Sequence, residues 1–124
     1  MSEPLSILYV DDEKLNLELF KINFRKNYNV YTASSGHEGL EKLSQCDDID
    51  VVISDMKMPG MNGVEFIRRA KVTYDKVVYF ILTGFDLTED ISEAIKEKLV
   101  YKYFRKPFNL KEIESSIQSA LKLP

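Results

Sequence analysis

Apolar residues along this chain alternate between two textures: short dense runs, and longer stretches in which they recur every three or four positions. The dense runs fall at residues 5–10, 29–33, 50–54, 77–82 and 101–105 and predict five β-strands. Runs this rich in Val, Ile and Leu read as strands buried on both faces, as in a parallel sheet covered by helices. Between them lie helical patterns. Leu15, Leu19 and Ile22 mark one face of a first helix. Ser34 or Ser35 can cap a second, with Glu38 placed to close a capping box on Ser35. Val64, Ile67 and Ala70 face inward on a third, and Ile91, Ala94, Ile95 and Leu99 line a fourth. Leu110, Ile113, Ile117 and Leu121 space out a fifth. Strict βα alternation predicts an α/β fold, a doubly wound five-stranded parallel sheet with helices on both sides. No repeat, low-complexity tract or linker interrupts it, so residues 1–124 read as one domain.

Composition narrows the picture without redirecting it. A chain of 124 residues, 44% hydrophobic, is long enough to bury a core. Its formal charge is −3, and its basic residues are scattered, which argues against nucleic-acid binding by a basic stripe. The lone cysteine, Cys46, allows neither an internal disulfide nor a cysteine metal site. There is no membrane-length apolar segment and no signal-peptide pattern, so a soluble cytoplasmic protein is expected.

Four of the strands stop at residues suited to phosphoryl chemistry. The first runs into Asp11-Asp12 and the third into Asp55; the fourth ends at Thr83 and the fifth at Lys106-Pro107. Ligands of such sheets bind at the carboxyl ends of the strands, where all of these residues fall. Asp11-Asp12 alone could equally be a helix cap or a metal site. With Asp55 on a neighbouring strand end the metal reading prevails, because three facing carboxylates repel one another unless a cation joins them. Mg²⁺ suits an all-oxygen set shared with a phosphate. Asp55 could shape the turn before Met58-Pro59-Gly60, or act as a nucleophilic carboxylate. Thr83 offers a hydroxyl to a phosphoryl oxygen, and Lys106 a compact positive charge. His37 reads as a surface residue, and Met56, Met58 and Met61 as loop packing.

In this order and spacing, Asp11-Asp12, Asp55, Met58-Pro59-Gly60-Met61-Asn62-Gly63, Thr83-Gly84 and Lys106-Pro107-Phe108 resemble the receiver domain of bacterial two-component response regulators. The resemblance runs over essentially the whole chain. It implies a flavodoxin-like sheet of order 2-1-3-4-5 and a phosphoryl group taken onto Asp55 from a histidine kinase or phosphotransfer protein. It further implies Mg²⁺ held directly by Asp12 and largely through water by Asp11, with Asp55 and the backbone carbonyl of Lys57 completing the protein ligands. Thr83 and Lys106 would hold the phosphoryl oxygens, and the Lys106–Pro107 bond would be cis. Thr83 and Tyr103 would form the switch, reshaping the surface of the fourth helix, fifth strand and fifth helix for an output domain or target. Lys57 and Phe85 flank the site, and a bulky Phe85 is expected to shield the acyl phosphate.

The chain also departs from the family's habits. Leu99-Val100-Tyr101 replaces a small Gly-Ala pair before the fifth strand, and Tyr101, Tyr103 and Arg105 are expected to alternate to one side of it. A haloacid-dehalogenase-type phosphatase would carry an aspartate where Lys57 stands. A flavin binder would carry a Ser/Thr/Gly-rich phosphate loop after the first strand, where two acids stand instead.

Overall fold

A computed structural model describes residues 4–84 and 86–122. Five parallel strands, β1 (Ser6–Val10), β2 (Asn29–Ala33), β3 (Val51–Asp55), β4 (Val78–Thr83) and β5 (Lys102–Arg105), are ordered β2-β1-β3-β4-β5. The helices between and after them are α1 (Lys14–Phe24), α2 (Gly36–Gln45), α3 (Gly63–Thr73), α4 (Glu89–Lys96) and α5 (Leu110–Ala120). The fold is therefore the one the alternation predicts, with strand ends shifted by about one residue.

β1 and β3 are buried along their whole length, which explains their unbroken apolar sequence. Alternate side chains supply two cores. Leu8, Val10, Val52 and Ile81 pack with α2, α3 and α4, whereas Ile7, Tyr9, Ile53, Phe80 and Phe104 pack with α1 and α5. Each fully buried Leu, Ile or Phe contributes about 1.5–3 kcal/mol of hydrophobic stabilisation.

The inward face of α1 differs from the expected one. Leu15, Leu19 and Ile22 are 69%, 44% and 57% exposed, and Leu17, Phe20 and Phe24 are buried instead. Both sets repeat at helical spacing, so α1 is apolar on two sides. The phenylalanines carry the larger buried area and add ring stacking, with Tyr9, Phe20 and Phe24 forming a column at centroid distances of 4.3 and 4.2 Å.

Capping departs from expectation by one residue. Ser35 Oγ accepts the Glu38 N–H at 3.0 Å, but the Glu38 carboxylate accepts from Ser34 N–H rather than from Ser35. A full capping box does form at Asn62 and Glu65, fixing the start of α3. Ahead of β5, Lys98 adopts φ 64°, the left-handed conformation that glycine favours. Val100 is buried there, and the N–H groups of Leu99 and Val100 both reach the Ala94 carbonyl. Tyr101 precedes β5, half-exposed, and meets Phe80 edge-on.

Candidate functional site at the carboxyl edge of the sheet

Parallel register brings the strand ends to one edge. Val10 pairs with Ser54, Asp55 with Leu82, and Thr83 with Arg105. Asp11, Asp55, Thr83 and Lys106 thus come from four adjacent strands although up to 95 residues separate them. A cleft of about 580 Å³ opens over this edge, lined by Asp12, Glu13, Asp55, Lys57, Met58, Pro59, Gly84 and Lys106.

Asp55 is buried at the base of the cleft. Lys106 bridges two carboxylates, its Nζ lying 3.3 Å from Asp55 Oδ2 and 3.1 Å from Asp11 Oδ2. The Lys106 backbone N–H donates to the Thr83 carbonyl at 2.7 Å, which fixes where its side chain starts. Thr83 is itself buried. The Lys106–Pro107 bond is cis.

The loop after β3 is shaped around Asp55. Gly60 takes φ 80°, and Gly63 N–H donates to the Met56 carbonyl at 2.8 Å. A Cβ on Gly63 would run into the Asp55 carbonyl oxygen and crowd Ile81, so only glycine lets α3 begin so close to the strand end. Met58 and Met61 are buried, in keeping with a packing role, and His37 is exposed on α2.

Asp11 is fully buried and its carboxylate is held at both oxygens. Oδ1 accepts from Glu13 N–H at 2.9 Å. Oδ2 accepts from the Tyr9 hydroxyl at 2.6 Å, Asn16 Nδ2 at 3.2 Å and Lys106 Nζ at 3.1 Å. Asp11 therefore braces the start of α1 as a cap would, while Asp12 stays exposed at the cleft.

Tyr9 and Asn16 were not legible as site residues. The available signal is that Asp11 follows β1 directly and stands two residues after Tyr9, so extended backbone turns both side chains the same way. Burial, and then the hydrogen bond to Asp11 and its charge, push the Tyr9 phenol far above its ordinary value, so it remains a donor.

One carboxylate oxygen from each of Asp11, Asp12 and Asp55 lies within 4.8 Å of the others. The set is all oxygen, with no sulfur or imidazole, and fits Mg²⁺ rather than a thiophilic metal. Burial, and next the neighbouring Asp11 charge, raise Asp55 to about 6, against the lowering influence of Lys106. For Lys106, burial alone would lower the pKa, but hydrogen bonding to Asp11 and the charges of both acids raise it overall. The crowded acids and the amine are thus mutually dependent.

The sequence pattern of the response regulator receiver domain family matches residues 7–118. The chain belongs to the response regulator receiver family. This is a signalling family of two-component systems, and its helix and strand order is the one described above.

Sporulation initiation phosphotransferase F of Bacillus subtilis is 31% identical over 118 residues, a match covering 94% of each chain. A response regulator receiver domain from Clostridium thermocellum superposes with a TM-score of 0.82 at 36% identity, covering 95% of this chain and 94% of that one. The hydrogenase transcriptional regulatory protein HoxA of Cupriavidus necator is 27% identical across 94% of this chain. The chain spans only about a quarter of that relative, 24% of its length.

Within this receiver, Tyr103 is half-buried on β5, packed against the α3–α4 side of the core. Arg105 pairs with Asp86 of the loop before α4 at 3.2 Å. Lys57 is exposed at the cleft, and Phe85 lies outside the described residues. Among the described residues, no helix is long and apolar enough to cross a membrane.

Proposed function

We propose that this receiver accepts a phosphoryl group on Asp55 from the phosphohistidine of a histidine kinase or phosphotransfer protein, in a Mg²⁺-dependent reaction in the cytoplasm. The observation that carries the reading is the convergence of Asp11, Asp12, Asp55 and Lys106 in one cleft. An Asp55 carboxylate oxygen forms the new O–P bond as the P–N bond to the donor imidazole breaks, and the imidazole leaves as a neutral ring once protonated. The residues do little covalent work beyond this; they position groups and compensate charge. Asp11, Asp12, Asp55 and the Lys57 carbonyl would hold the cation, which would offset the charge on both the carboxylate and the phosphoryl oxygens. Lys106 turns from Asp55 to the phosphoryl oxygens, and the Thr83 hydroxyl donates to another. Water attack on the same phosphorus later returns Asp55 to its free form.

The output follows from Thr83. Its movement toward the phosphoryl group frees space beside β4 for Tyr103, whose Cα pairs with that of Ile81. The surface of α4, β5 and α5 changes, and an output domain or target protein reads the change. Neither nucleic acid nor membrane is a direct partner in this reading.

The test is incubation with Mg²⁺ and acetyl phosphate or phosphoramidate, followed by intact mass. One labile phosphate adduct is expected, lost with a chelator and lost in Asp55→Asn. An adduct that persists in Asp55→Asn, or no adduct on the wild type, overturns the proposal.

A further inference from the structure

We propose that Tyr9 and Asn16 are positioning residues for the cation site, holding the Asp11 carboxylate in one orientation while Lys106 comes and goes. The inference deepens the proposed function and rests on Asp11 belonging to a Mg²⁺ site.

Asp11 Oδ2 has three donors, and they differ in kind. Lys106 also reaches Asp55 at 3.3 Å, so it is shared and must turn toward an arriving phosphoryl group. Tyr9 and Asn16 are donors without a charge to be shared with Asp55. The Tyr9 ring is 1% exposed and stacked on Phe20, which is stacked on Phe24. That aromatic column sets where the hydroxyl sits, 2.6 Å from Oδ2. Asn16 approaches the same oxygen from the first turn of α1 at 3.2 Å. Together with the Glu13 N–H on Oδ1, they fix the carboxylate from both β1 and α1. When Lys106 leaves, these contacts remain. Donors of this sort orient a carboxylate near a metal, and their removal typically weakens binding by about 10–100-fold.

The decisive comparison is wild type, Tyr9→Phe, Asn16→Ala and the control Leu43→Ala. Tyr9→Phe keeps the ring and its stacking but loses the hydroxyl; Leu43→Ala weakens the opposite core layer, away from Tyr9 and Asp11. Mn²⁺ binding to the unphosphorylated protein is followed by the free-ion paramagnetic resonance signal. The Mg²⁺ dependence of phosphorylation by acetyl phosphate is followed in parallel.

Tyr9→Phe should raise the Mn²⁺ dissociation constant and the half-saturating Mg²⁺ concentration by about tenfold. The maximal rate at saturating Mg²⁺ should equal that of wild type. Leu43→Ala should lower the unfolding temperature and leave the metal constant alone. Should Tyr9→Phe not fold, Asn16→Ala gives the same readout from the helix surface, with a rise of about threefold or more expected. An unchanged metal constant in the folded variants, or a fall in maximal rate at constant metal affinity, overturns the assignment. A wild type that binds no Mn²⁺, or binds it equally in Asp11→Asn, refutes the underlying metal site instead.

Discussion

Asp55 is placed where ionisation opposes folding, and Asp55→Asn exposes that conflict. Its pKa rises from 3.8 to about 6 in the folded chain because burial and the charge of Asp11 disfavour the anion more than Lys106 favours it. For an acid with a raised folded pKa, the native state binds its proton more tightly than the unfolded state. The associated stability is complete below about pH 4 and is lost as pH rises through 6. The size of the shift corresponds to roughly 3 kcal/mol.

Asparagine has the same shape and never ionises, so Asp55→Asn escapes that loss. The difference between the variants should therefore grow with pH, from near zero at pH 4 to about 3 kcal/mol in favour of Asn at pH 8. In urea unfolding without divalent cations, that displaces the midpoint by about 1–3 M at the slopes of small proteins. Saturating Mg²⁺ should close most of the gap by stabilising the wild type more than the variant. A difference that does not vary with pH, or a variant less stable than wild type at pH 8, would show that Lys106 fully compensates Asp55 and that the site is not frustrated.

Gly63→Ala should lower stability by about 1–3 kcal/mol and slow phosphorylation, since the added methyl meets the Asp55 carbonyl; urea unfolding and acetyl phosphate kinetics check both. Lys98→Gly should raise stability by about 0.5–1 kcal/mol, because the residue already holds φ 64°; an unchanged or lower unfolding midpoint refutes it. Leu15 and Leu19 stand exposed on the first two turns of α1, beside the acids that end β1. Changing both to Asp should slow phosphotransfer from a phosphohistidine protein at least about tenfold, with the acetyl phosphate rate unaltered. Equal slowing with both donors would place the damage in the site rather than in docking.

Much of the fold could be read because each strand is a dense apolar run, and such runs admit few arrangements once helices alternate with them. The α1 face could not, and the reason is specific. Leu15, Leu19 and Ile22 compete with Leu17, Phe20 and Phe24 at the same periodicity, and a helix wheel does not weigh a leucine stripe against a stacked aromatic one. Only the partner surface does, through Tyr9 of β1 and Phe108 after β5, whose ring lies 5.8 Å from Phe20. Lys98 escaped for a related reason. The turn before β5 needs a left-handed residue, and the chain uses lysine where sequence rules look for glycine. Site residues with charged side chains were legible because strand ends are easy to place. Tyr9 was hidden inside a strand, where its hydroxyl matters only after register turns it toward Asp11.

On the proposed function, the same geometry makes a cation a precondition for taking a phosphoryl group. Asp11, Asp12 and Asp55 bring three negative charges within 4.8 Å of one another, and Lys106 answers only one of them. At an effective dielectric near 20, each ionised pair at that separation repels by roughly 3 kcal/mol, the scale by which Asp55 resists ionisation. A protonated Asp55 relieves the strain but is a poor nucleophile, and an ionised one repels the incoming phosphoryl oxygens. A divalent cation among the three carboxylates removes both obstacles. It offsets the two uncompensated charges, lets Asp55 ionise below pH 6, and frees Lys106 from holding two acids together. Raising pH should thus strengthen Mg²⁺ binding through 6 in the wild type, and this dependence should flatten in Asp55→Asn.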